Sequence, residues 1–282
     1  MEFNYSCFNR EGELYFRISN DNSKIDIFRC CYLHAFKSIS FEDVKNVDYL
    51  KIFEESKNKP IIIGEAVLDR CSNCMLNNES LSKVSISITK ACNLNCHNCF
   101  FTEHKDDLRM KESYFTLLEK TKGLHLNLLK LTDTGEPFFY FKETTAFLAS
   151  LSSEKDTKSI LFITNNTLLN KDRIKLLKSI SNITGIQYEF HISFDGTSKE
   201  SFETVRKGGS FEKIVENTKL LISAFGQNQI RISYTLKKGN FTNSRDEIYD
   251  FFVSLGVLRD HVSICYDFMD PDAKNLFYNP NF

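Results

Sequence analysis

From residue 84 onward the sequence alternates six times between short strand-like runs and helical stretches, and that alternation leaves few folds open. Residues 84–89 switch between apolar and polar with a period of two. Residues 125–131, 159–163, 189–194, 230–234 and 261–266 repeat that pattern or run continuously apolar. Helical periodicity falls near 109–121, 142–153, 171–181, 198–224 and 243–255, with the last helix missing or cut short. Alternation of this kind implies parallel strands with right-handed crossovers, a sheet that curls into a barrel or part of one. The expected fold class is α/β: a partial (β/α)6 TIM-like barrel over residues 81–282, preceded by a small cysteine-rich α+β module over residues 1–80. Sites in such barrels collect at the carboxyl ends of the strands.

The first of these strands runs into Ala91-Cys92-Asn93-Leu94-Asn95-Cys96-His97-Asn98-Cys99-Phe100. Cys92, Cys96 and Cys99 therefore stand in a C-x3-C-x2-C spacing on a loop at a strand end. Thiolates this close can ligate three irons of a [4Fe–4S] cube and leave the fourth iron open to a substrate or cofactor. On the residues alone, a zinc site lacking its fourth ligand or three unrelated thiols are the alternatives. The amino terminus shows no basic region followed by an apolar core, and no apolar run is long enough to span a bilayer, so a cytoplasmic protein is expected. There, nine cysteines point to metal or catalysis more than to disulfides. A net charge of -1 gives no electrostatic case for nucleic acid or an anionic membrane as a partner.

The cysteine spacing directly after the first barrel strand resembles the radical S-adenosylmethionine (SAM) superfamily, and the resemblance extends over roughly residues 83–270. One departure is Asn98, where the family usually carries an aromatic residue before the third cysteine. The resemblance implies a [4Fe–4S] cluster on Cys92, Cys96 and Cys99, with the amino and carboxylate groups of SAM on its open iron. One electron then cleaves the sulfonium, releasing methionine and a 5′-deoxyadenosyl radical that abstracts hydrogen from a substrate.

Three further strand ends carry polar residues that suit this cofactor. The second strand runs into Thr134-Gly135-Glu136-Pro137, a fixed turn exposing carbonyls and an acid, which suits an ammonium group. An ordinary strand-to-helix turn is the plainer reading. The resemblance implies that Gly135 and Glu136 hold the methionine amino group, with Thr134 in place of the family's first glycine. Thr164-Asn165-Asn166 is similar to the family's Thr-Asn-Gly, because Asn tolerates the left-handed backbone that glycine would supply. By the same resemblance Ser193 and Asp195 meet the ribose and Arg206 the SAM carboxylate, against a helix cap and a surface ion pair as alternatives. Gly208-Gly209 reads as a turn and nothing more. Cys265 is either a small hydrophobe on a strand or a thiol facing the barrel that donates a hydrogen atom. His97 reads as filler in the cysteine loop, and no residue stands out as the final acid, base or hydrogen donor.

Residues 1–80 carry a second cysteine set: Cys7, Cys30, Cys31, Cys71 and Cys74. Strands are expected at 13–18 and 24–28, and a helix from 41 to 55 with Ser40 as its N-cap. Cys71 and Cys74 form a tight C-x2-C, and with Cys7 and Cys30 (or Cys31) they supply four thiolates, enough to close a cluster. The order resembles the SPASM auxiliary module, which normally follows the barrel. A second [4Fe–4S] cluster is the expectation, with zinc and then structural thiols as competitors. The expected function is an oxidoreductase of the radical SAM type that modifies a peptide or protein, served by an electron donor such as flavodoxin or ferredoxin. Its rivals are a radical SAM enzyme acting on a sugar, alcohol or nucleoside, and a non-catalytic iron–sulfur electron carrier.

Overall fold

The computed structural model describes residues 13–19, 21–28, 35–57, 80–97, 99, 107–131, 134–241, 244–267, 270–279 and 282. Its strands are β1 (Glu13–Ile18), β2 (Ile25–Phe28), β3 (Lys37–Ile39), β4 (Lys83–Ser87), β5 (Leu126–Leu131), β6 (Thr157–Thr164), β7 (Gln187–Ser193), β8 (Ile230–Leu236) and β9 (Val262–Tyr266). They join into one sheet in the order β3-β2-β1-β4-β5-β6-β7-β8-β9. From β4 to β9 every neighbouring pair is parallel. The helices between them are α2 (Leu108–Glu119), α3 (Phe141–Ala149), α4 (Lys171–Thr184), α5 (Lys199–Val205), α6 (Phe211–Phe225) and α7 (Arg245–Ser254), and α8 (Pro271–Phe277) follows β9. This is the partial barrel that the alternation implies. Among the described strands the sheet stays open, with β3 and β9 at its edges.

Strand alternation decides which face is dry. In β7, Tyr188, Phe190 and Ile192 are buried beneath the helices, where Phe190 packs 4.9 Å from Phe225 of α6 and 5.3 Å from Phe162 of β6. Each fully buried ring of this kind contributes about 2–3 kcal/mol. The alternate residues His191 and Ser193 face the concave side and are half-buried. Helix ends are set locally. Asn170 caps α4 by accepting from Arg173 N, and Ser244 and Glu247 form a capping box on α7.

The sheet crosses residue 80 without a break. β1 lies parallel to β4, from Glu13 beside Lys83 to Arg17 beside Ser87, while β2 and β3 extend the sheet antiparallel. Helix α1 (Tyr49–Lys57) covers the same face as α2: Tyr49 packs edge-on to Phe16 at 5.1 Å and donates to Leu117 O at 3.0 Å. The strands β1 to β3 and α1 therefore share the barrel's core. Cys7, Cys30, Cys31, Cys71 and Cys74 lie outside the described residues, and the expected second cluster with them.

Two expected helices are divided. The 198–224 pattern splits into α5 and α6: α5 ends at Arg206, which leaves the helical backbone at ψ 65°, and the turn through Gly208, at φ 88°, leads to Ser210, which caps α6. The 41–55 pattern splits into a 3₁₀ turn (Glu42–Asn46) and α1, because Val47 is extended; the N-cap is Phe41 and not the expected Ser40, whose Oγ accepts from Asp43 N one residue ahead of it. β3 has no counterpart in the expectation, being too short for a period of two to register. Among the described residues no helix is long and apolar enough to cross a membrane.

Candidate active site

The cysteine loop follows β4 with no regular structure of its own, so its shape is imposed by three neighbours. The first is the turn after β5. Thr134 Oγ1 donates to Thr89 O at 2.7 Å and Glu136 N to Ala91 O at 2.9 Å. A Cβ on Gly135 would come within 2.7 Å of Thr89 O and 2.9 Å of Ala91 O, so only glycine lets this turn lie flush against the start of the loop.

The second neighbour is the end of β6. Glu136 turns its carboxylate inward and accepts from Thr164 Oγ1 (2.7 Å), Asn165 N (2.7 Å) and Phe138 N (3.2 Å). Burial pushes its pKa up to about 7 despite those donors and the charge of Arg206. Asn166 takes the left-handed backbone, φ 57°, that the Thr-Asn-Gly likeness requires. Asn165 then reaches the loop, with Nδ2 at 3.1 Å from Asn93 Oδ1 and 3.5 Å from Cys92 Sγ. Thr167 closes the network, donating to Asn165 Oδ1 at 2.6 Å and accepting from Asn93 Nδ2 at 2.8 Å. Asn93 and Thr167 carry no motif of their own and were not among the expected site residues.

The third neighbour is the exit of α5. Asn95 N donates to Lys207 O (2.9 Å) and His97 N to Val205 O (2.8 Å), so the backbone is fixed on both sides of Cys96. Arg206, between them, pairs with Asp195 through Nε (2.8 Å) and Nη2 (2.6 Å), while Nη1 lies 3.7 Å from Cys96 Sγ. Asp195 is 0% exposed, and its other oxygen accepts from Thr235 N at 2.8 Å. Burial alone would lower the Arg206 pKa, but the charges of Asp195 and Cys96 hold it above its usual value. The ion pair that competes with the carboxylate role of Arg206 is thus present, buried instead of on the surface. Both Asp195 oxygens are engaged, whereas the Ser193 side chain stays half-buried on the concave face.

The donor set suits an iron–sulfur centre. Cys92, Cys96 and Cys99 are free and half-buried. N–H groups point at two of the sulfurs: Leu94 N (3.4 Å) and Asn165 Nδ2 at Cys92, and Arg206 Nη1 at Cys96. Such donors stabilise thiolate ligands. Without iron, burial pushes the Cys92 thiol up to about 11. Among the described residues no group of three His, Cys, Asp or Glu side chains is placed to hold a single metal ion, the cysteines of this loop included. A cube takes one thiolate per iron. Cys265 is exposed and not packed as a core hydrophobe; its Sγ lies 3.4 Å from Thr235 Oγ1. Deeper on the concave face, Lys130, His191 and Arg231 give a polar wall, and burial followed by the charges of Arg231 and Lys130 holds the His191 pKa down at about 4.

A parallel half-barrel with three cysteines on the loop after its first parallel-core strand is a scaffold for cofactor chemistry at the strand ends. The Radical SAM superfamily profile matches residues 86–252, and the chain belongs to that superfamily. Its members use a [4Fe–4S] cluster and S-adenosyl-L-methionine. The chain is 27% identical to a GTP 3',8-cyclase of Clostridium botulinum (strain Okra / Type B1) over 176 residues, 61% of this chain and 51% of the relative. It is 28% identical to a cysteine-type anaerobic sulfatase-maturating enzyme of Clostridium novyi (strain NT) over 193 residues, 62% and 48% of the two chains. A probable GTP 3',8-cyclase of Methanococcus aeolicus matches at 24% over 209 residues, 72% and 65%. The chain spans about half the length of the first two relatives.

Proposed function

We propose that the protein is a radical SAM oxidoreductase that modifies a peptide or protein. The observation that carries the chemistry is the set of three free, half-buried cysteines with N–H donors aimed at two of their sulfurs, on a chain of this superfamily. When bound, the cluster and SAM supply one-electron cleavage of a carbon–sulfur bond and a carbon radical able to abstract hydrogen. The chain's own residues bind and orient. Cys92, Cys96 and Cys99 hold the cluster, and Thr134, Gly135 and Glu136 form the ammonium subsite, backed by Thr164 and Asn165. Ser193 meets the ribose, and Asp195 acts through Arg206. Cys7, Cys30 (or Cys31), Cys71 and Cys74 hold a second cluster, in a reducing cytoplasm with a flavodoxin or ferredoxin as donor.

The choice of a peptide or protein is supported by the open sheet, whose concave face leaves Arg231, Ser263 and Cys265 exposed, and by likeness to a sulfatase-maturating enzyme. The small-molecule reading has its own support in the likeness to GTP 3',8-cyclases and in the cationic side chains Lys130 and Arg231. Anaerobic reconstitution tests both the clusters and the substrate. About eight irons in the wild type, falling to about four in a Cys92/Cys96/Cys99→Ala variant, are expected for two cubes. Release of 5′-deoxyadenosine under dithionite should rise with a peptide pool and not with GTP. The reverse preference would replace the peptide reading with the small-molecule one, and iron without SAM cleavage would leave an electron carrier.

A further inference from the structure

We propose that Arg206, held by Asp195, donates a charged N–H to the Cys96 thiolate and so raises the midpoint potential of the cluster on Cys92, Cys96 and Cys99. The inference rests on the radical SAM reading of those cysteines and gives Arg206 a role distinct from clamping the SAM carboxylate. The guanidinium is used in two directions. Its Nε and Nη2 are both spent on one oxygen of Asp195, at 2.8 and 2.6 Å, which leaves Nη1 facing Cys96 Sγ at 3.7 Å. Asp195 cannot swing away, because Thr235 N holds its second oxygen at 2.8 Å and Asn240 Nδ2 holds its carbonyl at 3.1 Å. Nor can Cys96, because Val205 O and Lys207 O fix the backbone on either side of it.

Reduction adds one electron, and so one unit of negative charge, to the cluster; the electron comes from a low-potential one-electron donor of the flavodoxin or ferredoxin class. No bond at Arg206 forms or breaks and no proton moves. A guanidinium N–H on a ligand sulfur stabilises the more negative state and raises the potential. Asp195 opposes part of that effect from the far side of Arg206, and the short distance from Nη1 to the sulfur decides the sign. Low local dielectric strengthens both terms.

The two partners therefore predict opposite shifts. Reconstituted wild type, Arg206→Met and Asp195→Asn would be titrated with dithionite and the reduced cluster followed by electron paramagnetic resonance, with iron content and circular dichroism on the same samples. Arg206→Met should move the midpoint potential negative and Asp195→Asn should move it positive, at unchanged iron content. Equal potentials, shifts of the same sign, or loss of iron or of fold in both variants would overturn the proposal and make the pair a purely structural clamp. If one variant fails to fold, the sign of the other decides. A wild type that takes up no iron–sulfur cluster would overturn the reading beneath it instead.

Discussion

Glu136 should make the metal-free protein lose stability as the pH rises from acid to neutral. Its carboxylate is 1% exposed, and burial lifts its pKa from 4.5 to about 7. Between those values the unfolded chain has released this proton while the folded chain still holds it. The folded state thus binds more protons, and stability falls with increasing pH. The contribution is complete below about pH 4.5 and gone above about pH 7; at ~1.4 kcal/mol per unit it amounts to about 3 kcal/mol. Urea unfolding of the apo protein across that window, wild type beside Glu136→Gln, isolates the effect from the other titrating groups. The glutamine oxygen can accept from Asn165 N and its amide can donate to the Thr164 hydroxyl, but Phe138 N then loses its acceptor. A roughly constant offset of about 1–2 kcal/mol is expected from that loss. Wild type should therefore lie about 1–2 kcal/mol above the variant near pH 4.5 and fall below it near pH 7, a relative loss of about 3 kcal/mol across the window. Parallel curves would show that Glu136 ionises in the folded protein as it does in water, and the burial argument would fail.

Gly135→Ala should cost the protein its cluster more than its fold, since the new Cβ meets backbone oxygens at 2.7 and 2.9 Å where the loop begins. Destabilisation of about 1–3 kcal/mol with sharply reduced iron per chain is expected, and full iron loading would refute the close approach. Tyr49→Phe removes the hydrogen bond from α1 to Leu117 O and should lower the urea-derived stability by about 1 kcal/mol. An unchanged midpoint would mean that α1 is not docked on α2.

The strands β4 to β9 were legible because a half-buried parallel sheet writes its faces into the sequence as alternation or as apolar runs. The cysteine loop was legible because its three cysteines are local, within eight consecutive residues. What ties that loop down was not. Asn165 to Asn93, Asn165 to Cys92 and Arg206 to Cys96 join residues 72, 73 and 110 positions apart, and no periodicity records such pairs. Asp195 and Arg206 were both visible as strand-end polar residues. Sequence assigned them separate ligands, because it shows which charges are present and not which of them meet. The break between α5 and α6 was half visible. Gly208-Gly209 marks a turn, yet apolar spacing continues through it on both sides, so one long helix fitted the pattern as well as two.

The three fixations of the loop come from different βα units: the turn after β5, the exit of β6, and the α5 exit that follows β7. Each alone leaves the loop free to pivot, since a single anchor fixes position but not orientation. Together they hold Ala91, Asn93, Cys92 and the residues flanking Cys96, so the loop is ordered only when four successive parallel strands stand in register. Glu136 couples two of the fixations directly, with its backbone N on Ala91 O and its carboxylate on Asn165 N. Thiols placed this way do not have to be gathered by iron at the full cost in chain entropy, which runs at about 1–2 kcal/mol per residue ordered. Metal binding must still release the proton that burial retains at Cys92. The half-barrel thus does for this loop what regular secondary structure does elsewhere, and the placing of Cys92 and Cys96 is a property of the sheet as much as of the cysteine motif.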